Sequence, residues 1–402
     1  MGKPLKYPLL SNAFSKEDIN IGIKVLKSKF ITMGKHTKKF EKIFAKKLGS
    51  KFAIMTNSGS SANLLAISAI ANPTYKYRLN PGDEVLIPAV CWSTSLWPIV
   101  QNNLKPVFVD VDLNTLNISF EDLKNKVSKK TKALMCVHVL GISSNMDKIS
   151  AYCKNKNIII IEDTCESLGA KYKTKNLGTI GEFGTYSFYY SHQITSGEGG
   201  MIVCNNKENY NLIKSLRSHG WSRDINLSKK LKIKFKKIDN RFLFINSGYN
   251  LRPTDIQAAI ASNQFKRLPK FMEIRNYNRN MIIKKILKNP NWDNQLKFVE
   301  INKNIKPSWF GLPIMINDIY KSKKNRYLKY LTNMGIENRP ILSGNFLNQP
   351  SVELFNINKG KNHFKNSQTI EDLGFFIGLH TDKISNKLAE YIAKTLLKIS
   401  SI

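Results

Sequence analysis

The sequence predicts an α/β protein with a large domain built on a mostly parallel sheet, followed by a smaller C-terminal α/β domain. Between residues 52 and 162, short apolar runs alternate with helix-length segments, which is typical of strands joined by covering helices. A long helical pattern at Thr254–Leu287 then precedes a second stretch of mixed pattern. Because 402 residues exceed what one small core needs, we expect two domains, residues 1–270 and 271–402.

The individual elements follow from apolar spacing and from helix-start signals. Ser15 and Asp18 precede apolar residues at helical spacing, so a helix is expected at Lys16–Lys29. The expected strands are Phe52–Thr56, Glu84–Pro88, Pro106–Asp110, Ala133–Val139 and Ile158–Glu162. The expected helices are Ser61–Ala71, Ser93–Asn102, Phe120–Val127, Met146–Lys156 and Lys207–Ser218, before a lysine-rich loop at Lys229–Lys237.

The chain is strongly basic, with 63 Lys and Arg residues against 29 Asp and Glu and a formal net charge of +34. Such a charge is compatible with a polyanionic partner. The lysines are nevertheless spread through the whole chain, without a zinc-finger, basic-zipper or RNP pattern. We therefore interpret the charge as a solvated surface that helps to attract a diphosphate, and we expect no nucleic-acid partner.

Neither the apolar pattern nor the cysteines indicate a membrane, a metal or a disulfide. The sequence has no run of about 18 apolar residues and no signal-peptide pattern, so we expect a cytoplasmic protein without a membrane partner. The five cysteines are scattered and form no close C-x-x-C pair. They are expected to be small buried residues, and no metal site is expected.

Two polar motifs follow expected strands, where ligands bind in parallel sheets. Asn57–Asn63 opens a helix, and its backbone N–H groups and hydroxyls can bind a phosphate. An ordinary serine cap is the alternative. Ile160–Glu166 ends an apolar strand with acids, and Asp163 can either hold a protonated ring nitrogen or cap the following helix.

Two further motifs place aromatic and small residues next to expected strands. Gly184–Met201 combines an aromatic strand, a polar turn containing His192 and a glycine pair that lets a ligand approach the backbone. Trp92 follows another strand and can stack on a flat ring. Taken singly, His192 has a hydrogen-bonded structural histidine as its alternative, and a tryptophan such as Trp92 is more often a core or interface residue.

Together, the order and spacing of these motifs resemble the sugar aminotransferase family, which uses pyridoxal phosphate (PLP) and has the aspartate aminotransferase fold, PLP-dependent transferase fold type I. The resemblance covers roughly residues 8–395. The family's motifs are matched at Ser58–Ser60, Gly82–Val85, Glu162–Asp163, Ser187–Phe188 and Gly197–Gly200.

The main departure from the family pattern is His192, which stands where the family has the lysine that binds the cofactor covalently. No lysine occurs from Asn176 to Asn206, and without one an ordinary aminotransferase cycle lacks its base and its tether. The chain is similar to a subset of the family with this same change, the 3-dehydratases of nucleotide-linked 4-keto-6-deoxy sugars. The matching segments are Gly248–Pro253, Ser308–Gly311, Arg339–Phe346 and Gly374–Gly378.

This resemblance implies an enzyme that removes the C3 hydroxyl from a nucleotide-linked 4-keto-6-deoxy sugar, with GDP as the favoured nucleotide. The amine form of the cofactor, pyridoxamine phosphate (PMP), would react with the sugar ketone, and glutamate would regenerate it. His192 would act as acid and base, for which an ordinary imidazole pKa of about 6.5 is suitable. A related branch also holds an iron–sulfur cluster, but only Cys204 follows His192 here, so no cluster is expected.

The resemblance also implies roles for individual residues and leaves two other functions open. An aminotransferase that works without the lysine and a non-catalytic sugar-binding homologue are the alternatives. His219 would lie near the sugar, and Arg339 would meet a substrate phosphate or form a surface salt bridge. The implied cofactor-binding residues are Gly59, Ser60, Ser61 and Ser187 at the phosphate, Trp92 on the ring, Asp163 at the pyridine nitrogen, Glu166 near the 3-hydroxyl, and Asn250 from the partner subunit of a homodimer.

Overall fold

The fold is described by a computed structural model, which covers residues 5–11, 13–223, 225, 229–360 and 364–402. Its strands are β1 Phe52–Thr56, β2 Glu84–Pro88, β3 Lys105–Val109, β4 Thr131–Val137, β5 Ile159–Asp163, β6 Lys171–Tyr172, β7 Lys175–Asn176, β8 Phe183–Ser187, β9 Gly200–Cys204, β10 Leu296–Phe298, β11 Ile305–Lys306, β12 Gly311–Ile316, β13 Asn338–Arg339 and β14 Gly374–Gly378. Its helices are α1 Lys16–Lys27, α2 Lys35–Leu48, α3 Gly59–Ile70, α4 Ser93–Gln101, α5 Phe120–Lys126, α6 Met146–Asn155, α7 Lys207–Arg217, α8 Lys229–Lys234, α9 Asp255–Leu287, α10 Lys324–Asn333, α11 Pro350–Leu354, α12 Lys365–Leu373 and α13 Asn386–Leu396.

A seven-stranded sheet forms the centre of the large part of the molecule, in the order β1-β9-β8-β5-β4-β2-β3. Strands β8, β5, β4, β2 and β3 pair in parallel, and β9 runs antiparallel to both β1 and β8. The predicted mostly parallel sheet is therefore confirmed. As a consequence, the carboxyl ends of β1, β2, β5 and β8 meet the amino end of β9 at one edge of the sheet.

Helix α3 is fixed in position because it is buried along almost its whole length. Apolar Ala, Leu and Ile side chains occur on every side of this helix, as expected for a helix covered by other elements. It contacts β8, β9, α4 and α7. The start of α3, which the sequence indicates as a phosphate-binding turn, is thereby held against the sheet edge.

Helix α1 begins with the predicted capping box, in which Ser15 and Asp18 bond each other's backbone N–H groups. Its apolar residues do not face the core, however. Ile19, Ile23 and Leu26 are 52%, 41% and 54% exposed, whereas Asp18 is fully buried. The reason is that α1 packs on α9 through the Asp18 carboxylate, which accepts hydrogen bonds from side chains of α9.

A second sheet, in the order β10-β12-β14-β13, is antiparallel throughout. It forms the predicted C-terminal α/β part, and one apolar cluster joins it to the large sheet, including Ile87 and Ile161 on one side and Ile314 and Phe375 on the other. The expected boundary at residues 270 and 271 falls inside α9. The division into two domains at that point therefore stays a prediction.

Three smaller observations complete the fold. Residues Lys229–Lys234 form helix α8, so the loop predicted there is wrong for this segment. All five cysteines are free, and only Cys165 is more than slightly exposed. Within the described ranges, no helix has both the length and the apolar character needed to cross a membrane.

Candidate active site

The motifs singled out in the sequence converge on the sheet edge where β1, β5 and β8 end. Gly200 lies opposite Thr56 of β1 and Ser187 of β8 in the strand register. Asp163, at the end of β5, lies opposite Thr185 of β8, which is two residues before Ser187. The candidate site is therefore assembled by neighbouring strands of a single sheet.

Two glycines allow the turn after β1 to pass close to its neighbours. A Cβ atom on Gly200 would lie 2.2 Å from the Ser58 carbonyl oxygen, and one on Gly59 would lie 2.6 Å from the Ser187 Cβ. The Ser58 hydroxyl accepts a hydrogen bond from the Ser61 N–H at 3.1 Å. Ser58 is thus the ordinary serine helix cap that the sequence analysis gave as the alternative to a phosphate site. Gly59, Ser61 and Ser187 lie together beside it.

The Asp163 carboxylate is buried, with 4% of the residue exposed, and is held by neutral donors. Its Oδ2 accepts hydrogen bonds from Asn63 Nδ2 at 2.8 Å and Ser95 Oγ at 2.6 Å. Its Oδ1 accepts one from the Cys165 N–H at 3.1 Å. In the described part of the chain no Lys or Arg side chain pairs with it, so the carboxylate can serve a cationic group supplied by a ligand.

The loop after β2 carries Trp92, which is 55% exposed and precedes α4. Thr94 and Ser95, in the first turn of α4, connect this loop to the rest of the site. The Thr94 hydroxyl lies 2.9 Å from the Ser60 hydroxyl, and Ser95 donates to Asp163. Trp92 is therefore an accessible ring at the edge of the site rather than a core residue.

The same loop is also held from the C-terminal part of the chain. The Ser343 hydroxyl donates to the Cys91 carbonyl oxygen at 2.7 Å, and the Phe346 N–H donates to the Ala89 carbonyl oxygen at 2.9 Å. These bonds come from the segment Arg339–Phe346, one of those that resemble the dehydratase subset. The segment thus fixes the loop in front of Trp92.

His192 lies in the turn between β8 and β9, and its ring packs edge-on against aromatic neighbours. The ring centroids of Tyr189 and Phe310 lie 5.8 and 5.1 Å from that of His192. Burial, with a smaller contribution from the positive charge of Arg275, lowers the pKa of His192 to about 3. The expected pKa of about 6.5 is therefore wrong for this environment, and the imidazole is neutral near pH 7.

Glu166 lies next to the turn that carries His192. Its side chain accepts a hydrogen bond from the Leu140 N–H at 2.9 Å, and its backbone oxygen accepts one from the Gln193 side-chain amide. Burial raises the pKa of Glu166 to about 7, and the nearby Asp163 adds to this effect. A carboxyl group of this kind can both donate and accept a hydrogen bond near neutral pH.

The remaining predicted residues, Asn250, His219 and Arg339, have other partners in the structure. Asn250 is exposed and its side-chain oxygen accepts a hydrogen bond from Arg252 Nε at 3.0 Å. His219 lies beside it, because Ser218 and Asn250 form a β-bridge. Arg339 forms the surface salt bridge that was its alternative role, with Glu337 Oε1 at 2.6 Å.

Sequence reasoning missed several residues that support the site. Asn63 was inside a recognised motif, but only the fold shows that its side chain bonds both Asp163 and Thr185. The buried pair His138 and Glu162 was also missed, with 3.0 Å between His138 Nε2 and Glu162 Oε2. Arg275, within α9, has no motif that distinguishes it from the chain's many other basic residues.

These features fit a pyridine cofactor with a phosphate group. The donor-lined Asp163 carboxylate fits a protonated ring nitrogen, and the glycine-lined start of α3 fits a phosphate. His192 Nδ1 and Asn57 Oδ1 are buried polar atoms without a hydrogen-bond partner among the described residues, and such atoms often face a ligand. Over the same residues, no group of His, Cys, Asp or Glu has the arrangement of a metal site.

The fold and the site together define a PLP-dependent enzyme of fold type I. Residues 12–396 match the DegT/DnrJ/EryC1/StrS aminotransferase family, and the chain belongs to this family.

Within the family, the chain is similar to 3-dehydratases. It is 39% identical over 396 residues to a GDP-4-keto-6-deoxy-D-mannose 3-dehydratase of Escherichia coli O55:H7, covering 98% of this chain and 100% of that protein. A solved structure of the E. coli enzyme with bound hydrated PLP has a TM-score of 0.89 at 36% identity, covering 98% and 100% of the chains. Another structure of such a dehydratase contains a trapped PLP-glutamate geminal diamine, with a TM-score of 0.89, 36% identity and coverage of 97% and 100%.

Proposed function

We propose that this protein removes the C3 hydroxyl from a nucleotide-linked 4-keto-6-deoxy sugar, with GDP-4-keto-6-deoxymannose as the favoured substrate. The observation that carries the proposal is His192 in the turn between β8 and β9, where aminotransferases of this family have lysine. The full-length similarity to GDP-4-keto-6-deoxy-D-mannose 3-dehydratases supports the choice of sugar and nucleotide.

The chain's own residues would bind and orient the cofactor without a covalent bond. We assign the phosphate to the N–H groups and hydroxyls of Gly59, Ser60, Ser61 and Ser187. Asp163 would pair with the ring nitrogen, Glu166 would bond the 3-hydroxyl, and Trp92 would cover one face of the ring. When bound in its amine form, the cofactor supplies the amine that reacts with the sugar ketone and an electron sink for loss of the hydroxyl.

The imidazole of His192 would serve both proton transfers of this reaction. As a base it would accept the proton from C4′ of the bound cofactor, a role in which its lowered pKa makes it weaker than an ordinary imidazole. The imidazolium formed in this environment is a strong acid, because burial and Arg275 both disfavour its charge. It can therefore donate the proton to the departing C3 oxygen, and positioned acid–base help of this kind contributes about 10²- to 10⁴-fold in rate.

The proposal includes a homodimer, in which Asn250 of one subunit completes the phosphate site of the other. Two features of the chain support it. The Asn250 side chain is exposed and bonds only its near neighbour Arg252 among the described residues. Helix α1 and the residues after it also expose apolar side chains that lie close together in the sequence, Ile19, Ile23, Leu26, Phe30 and Ile31. Exposed apolar surfaces of this kind commonly mark protein interfaces.

The remaining roles are assigned by position. His219 lies on the segment that carries Asn250, so we place it near the sugar. Arg339 would need to leave Glu337 to reach a substrate phosphate, and we propose this only for the substrate-bound state. All five cysteines are free thiols, which suits a reducing compartment, and we place the reaction in the cytoplasm.

The test is an analysis of the products. The protein is mixed with PLP, glutamate and GDP-4-keto-6-deoxymannose, and ammonia and sugar mass are followed together. We expect one ammonia for each 3-deoxy-4-keto sugar formed, because hydrolysis after loss of the hydroxyl releases the nitrogen. His192→Asn should reduce the rate by at least about 10²-fold, while His36→Asn, in a residue outside the site, should not.

The two alternatives give different results in the same assay. A stable amino sugar without ammonia would show an aminotransferase and contradict the proposed reaction. No turnover of GDP-, CDP- or dTDP-linked ketosugars, together with retained PLP binding, would indicate a non-catalytic sugar-binding protein.

A further inference from the structure

Arg275 is a buried arginine beside the turn that carries His192. It is 2% exposed, and it lies on α9, which passes behind the site. Its Nη1 donates to the Trp309 carbonyl oxygen at 3.1 Å, and its Nη2 approaches the His192 carbonyl oxygen at 3.5 Å. The guanidinium thus contacts the backbone of the proposed base directly.

The guanidinium of Arg275 lacks a counter-ion among the residues that the structure describes. Within the described residues no carboxylate pairs with Arg275, and its Nε has no hydrogen-bond partner. A buried cation without a carboxylate costs several kcal/mol in general. Burial lowers the pKa of Arg275 to about 10, so the group still carries its charge at neutral pH. A cost of this kind suggests that the charge has a use at this position.

We propose that Arg275 is a positioning residue for His192, whose buried guanidinium holds the turn through the Trp309 and His192 carbonyl oxygens and adds to the effect of burial in disfavouring the imidazolium. The inference rests on the proposed function, because it concerns the residue that would carry both protons. Once the imidazole has taken a proton, the same charge favours its release to the departing oxygen.

The other groups around His192 do not replace Arg275 in this role. Tyr189 and Phe310 pack against the imidazole through edge-to-face ring contacts. Tyr7 and His380, which stack on each other, interact electrostatically with Arg275 rather than with His192. Glu166 is bonded to Gln193 through its backbone oxygen, and its carboxyl group is bound by Leu140.

The experiment is a pH titration of the His192 imidazole by NMR, in the PLP-loaded protein without sugar. The chain has six histidines, and the His192 signal is assigned as the one missing in His192→Asn. Arg275→Met removes the charge but keeps a long side chain, and Arg275→Lys keeps the charge. Arg279→Met is the matched control, since Arg279 lies one turn along α9 and stacks on Trp309 without contacting His192.

We expect the wild type, Arg275→Lys and Arg279→Met to keep His192 neutral down to about pH 5. In Arg275→Met, the imidazolium fraction at a given pH in this range should rise by about tenfold. The acidic limb of the kcat profile should move to higher pH in the same variant only. Arg275→Gln serves as a second neutral variant if Arg275→Met does not fold.

If Arg275→Met or Arg275→Gln folds and the His192 imidazole titrates as in the wild type, the role assigned to Arg275 is overturned. The same holds if the His192 titration in Arg275→Lys matches that in Arg275→Met. The outcome is independent of the proposed reaction. If the titration responds as expected but no 3-deoxy sugar forms, the role of Arg275 stands and the proposed function fails.

Discussion

Asn63 illustrates how the site depends on side chains that do not touch a ligand. It donates to the Asp163 carboxylate and accepts from the Thr185 hydroxyl at 2.6 Å, so it links three elements at one point. Ser95 supplies the second donor to the same carboxylate oxygen. Buried networks with every group bonded rigidify their surroundings, whereas the loss of one member leaves an unmet buried charge. The orientation of Asp163 therefore depends on Asn63.

We expect Asn63→Ala to weaken PLP binding by about tenfold and to destabilise the fold by about 1–3 kcal/mol, because the Asp163 carboxylate loses a donor. Absorbance titration with PLP and urea unfolding measure the two effects. Asn209→Ala is the control, since this buried asparagine bonds Glu182 at the amino end of β8, the opposite edge of the sheet. Equal PLP affinities in both variants would contradict the role given to Asn63.

At the scale of elements, α1 is attached to α9 by polar contacts. Asp18 accepts hydrogen bonds from Asn263 Nδ2 at 2.9 Å and Gln264 Nε2 at 3.2 Å, and forms a 2.5 Å ion pair with Arg267. Burial opposes the charge of Asp18, but the bonds from Asn263, Ser15 and Arg267 outweigh it and lower its pKa below the ordinary value. The helix is therefore fastened by an ionised carboxylate.

Asp18→Asn should lower the free energy of unfolding by about 1–3 kcal/mol at pH 7. A carboxyl group with a lowered pKa stabilises the fold above its ordinary pKa, and this contribution is lost as the pH falls through the folded-state value. The difference between wild type and variant should therefore shrink from pH 7 to pH 3. Urea unfolding at both pH values tests this, with the exposed neighbour variant Glu17→Gln as control. A constant difference would show that the ionised form is not responsible.

The sequence predicted most elements because their patterns are local. Strand β2 was placed with the correct ends, and α3, α4 and α6 within two residues, since apolar spacing and caps determine these elements. The buried face of α1 was not predictable, because the bonds that bury Asp18 come from residues about 245 positions away. Arg275 was missed for a similar reason, as its contact with His192 exists only after α9 packs behind the site.

At the scale of the whole molecule, helix α1 exposes several apolar side chains to solvent. Any protein surface carries isolated apolar side chains, but the exposed apolar residues of α1 lie closer together than that. The chain's net charge of +34 would by itself oppose association of two copies, so a dimer requires an interface with substantial apolar area. We assign this interface to the α1 surface.

We expect Ile23→Glu to convert the proposed dimer to a monomer, since a buried unpaired carboxylate in the interface is costly. Light scattering measures the mass, and PLP titration then shows whether affinity falls with the loss of the partner's asparagine. Ile319→Glu is the matched control, because Ile319 is a 75% exposed residue far from α1 in the sequence. A monomeric wild type, or an unchanged mass in Ile23→Glu, would refute this interface.

Helix α9 connects the two sheets as one element of 33 residues, a rod about 50 Å long. Pro269 lies within it and cannot donate a backbone hydrogen bond to the Phe265 carbonyl oxygen one turn earlier. That oxygen instead accepts a hydrogen bond from Lys47 Nζ at 2.8 Å, so a side chain of α2 braces α9 where its own bonding is interrupted. Arg275 lies six residues beyond Pro269, and this brace between two helices therefore steadies the part of α9 that carries the guanidinium.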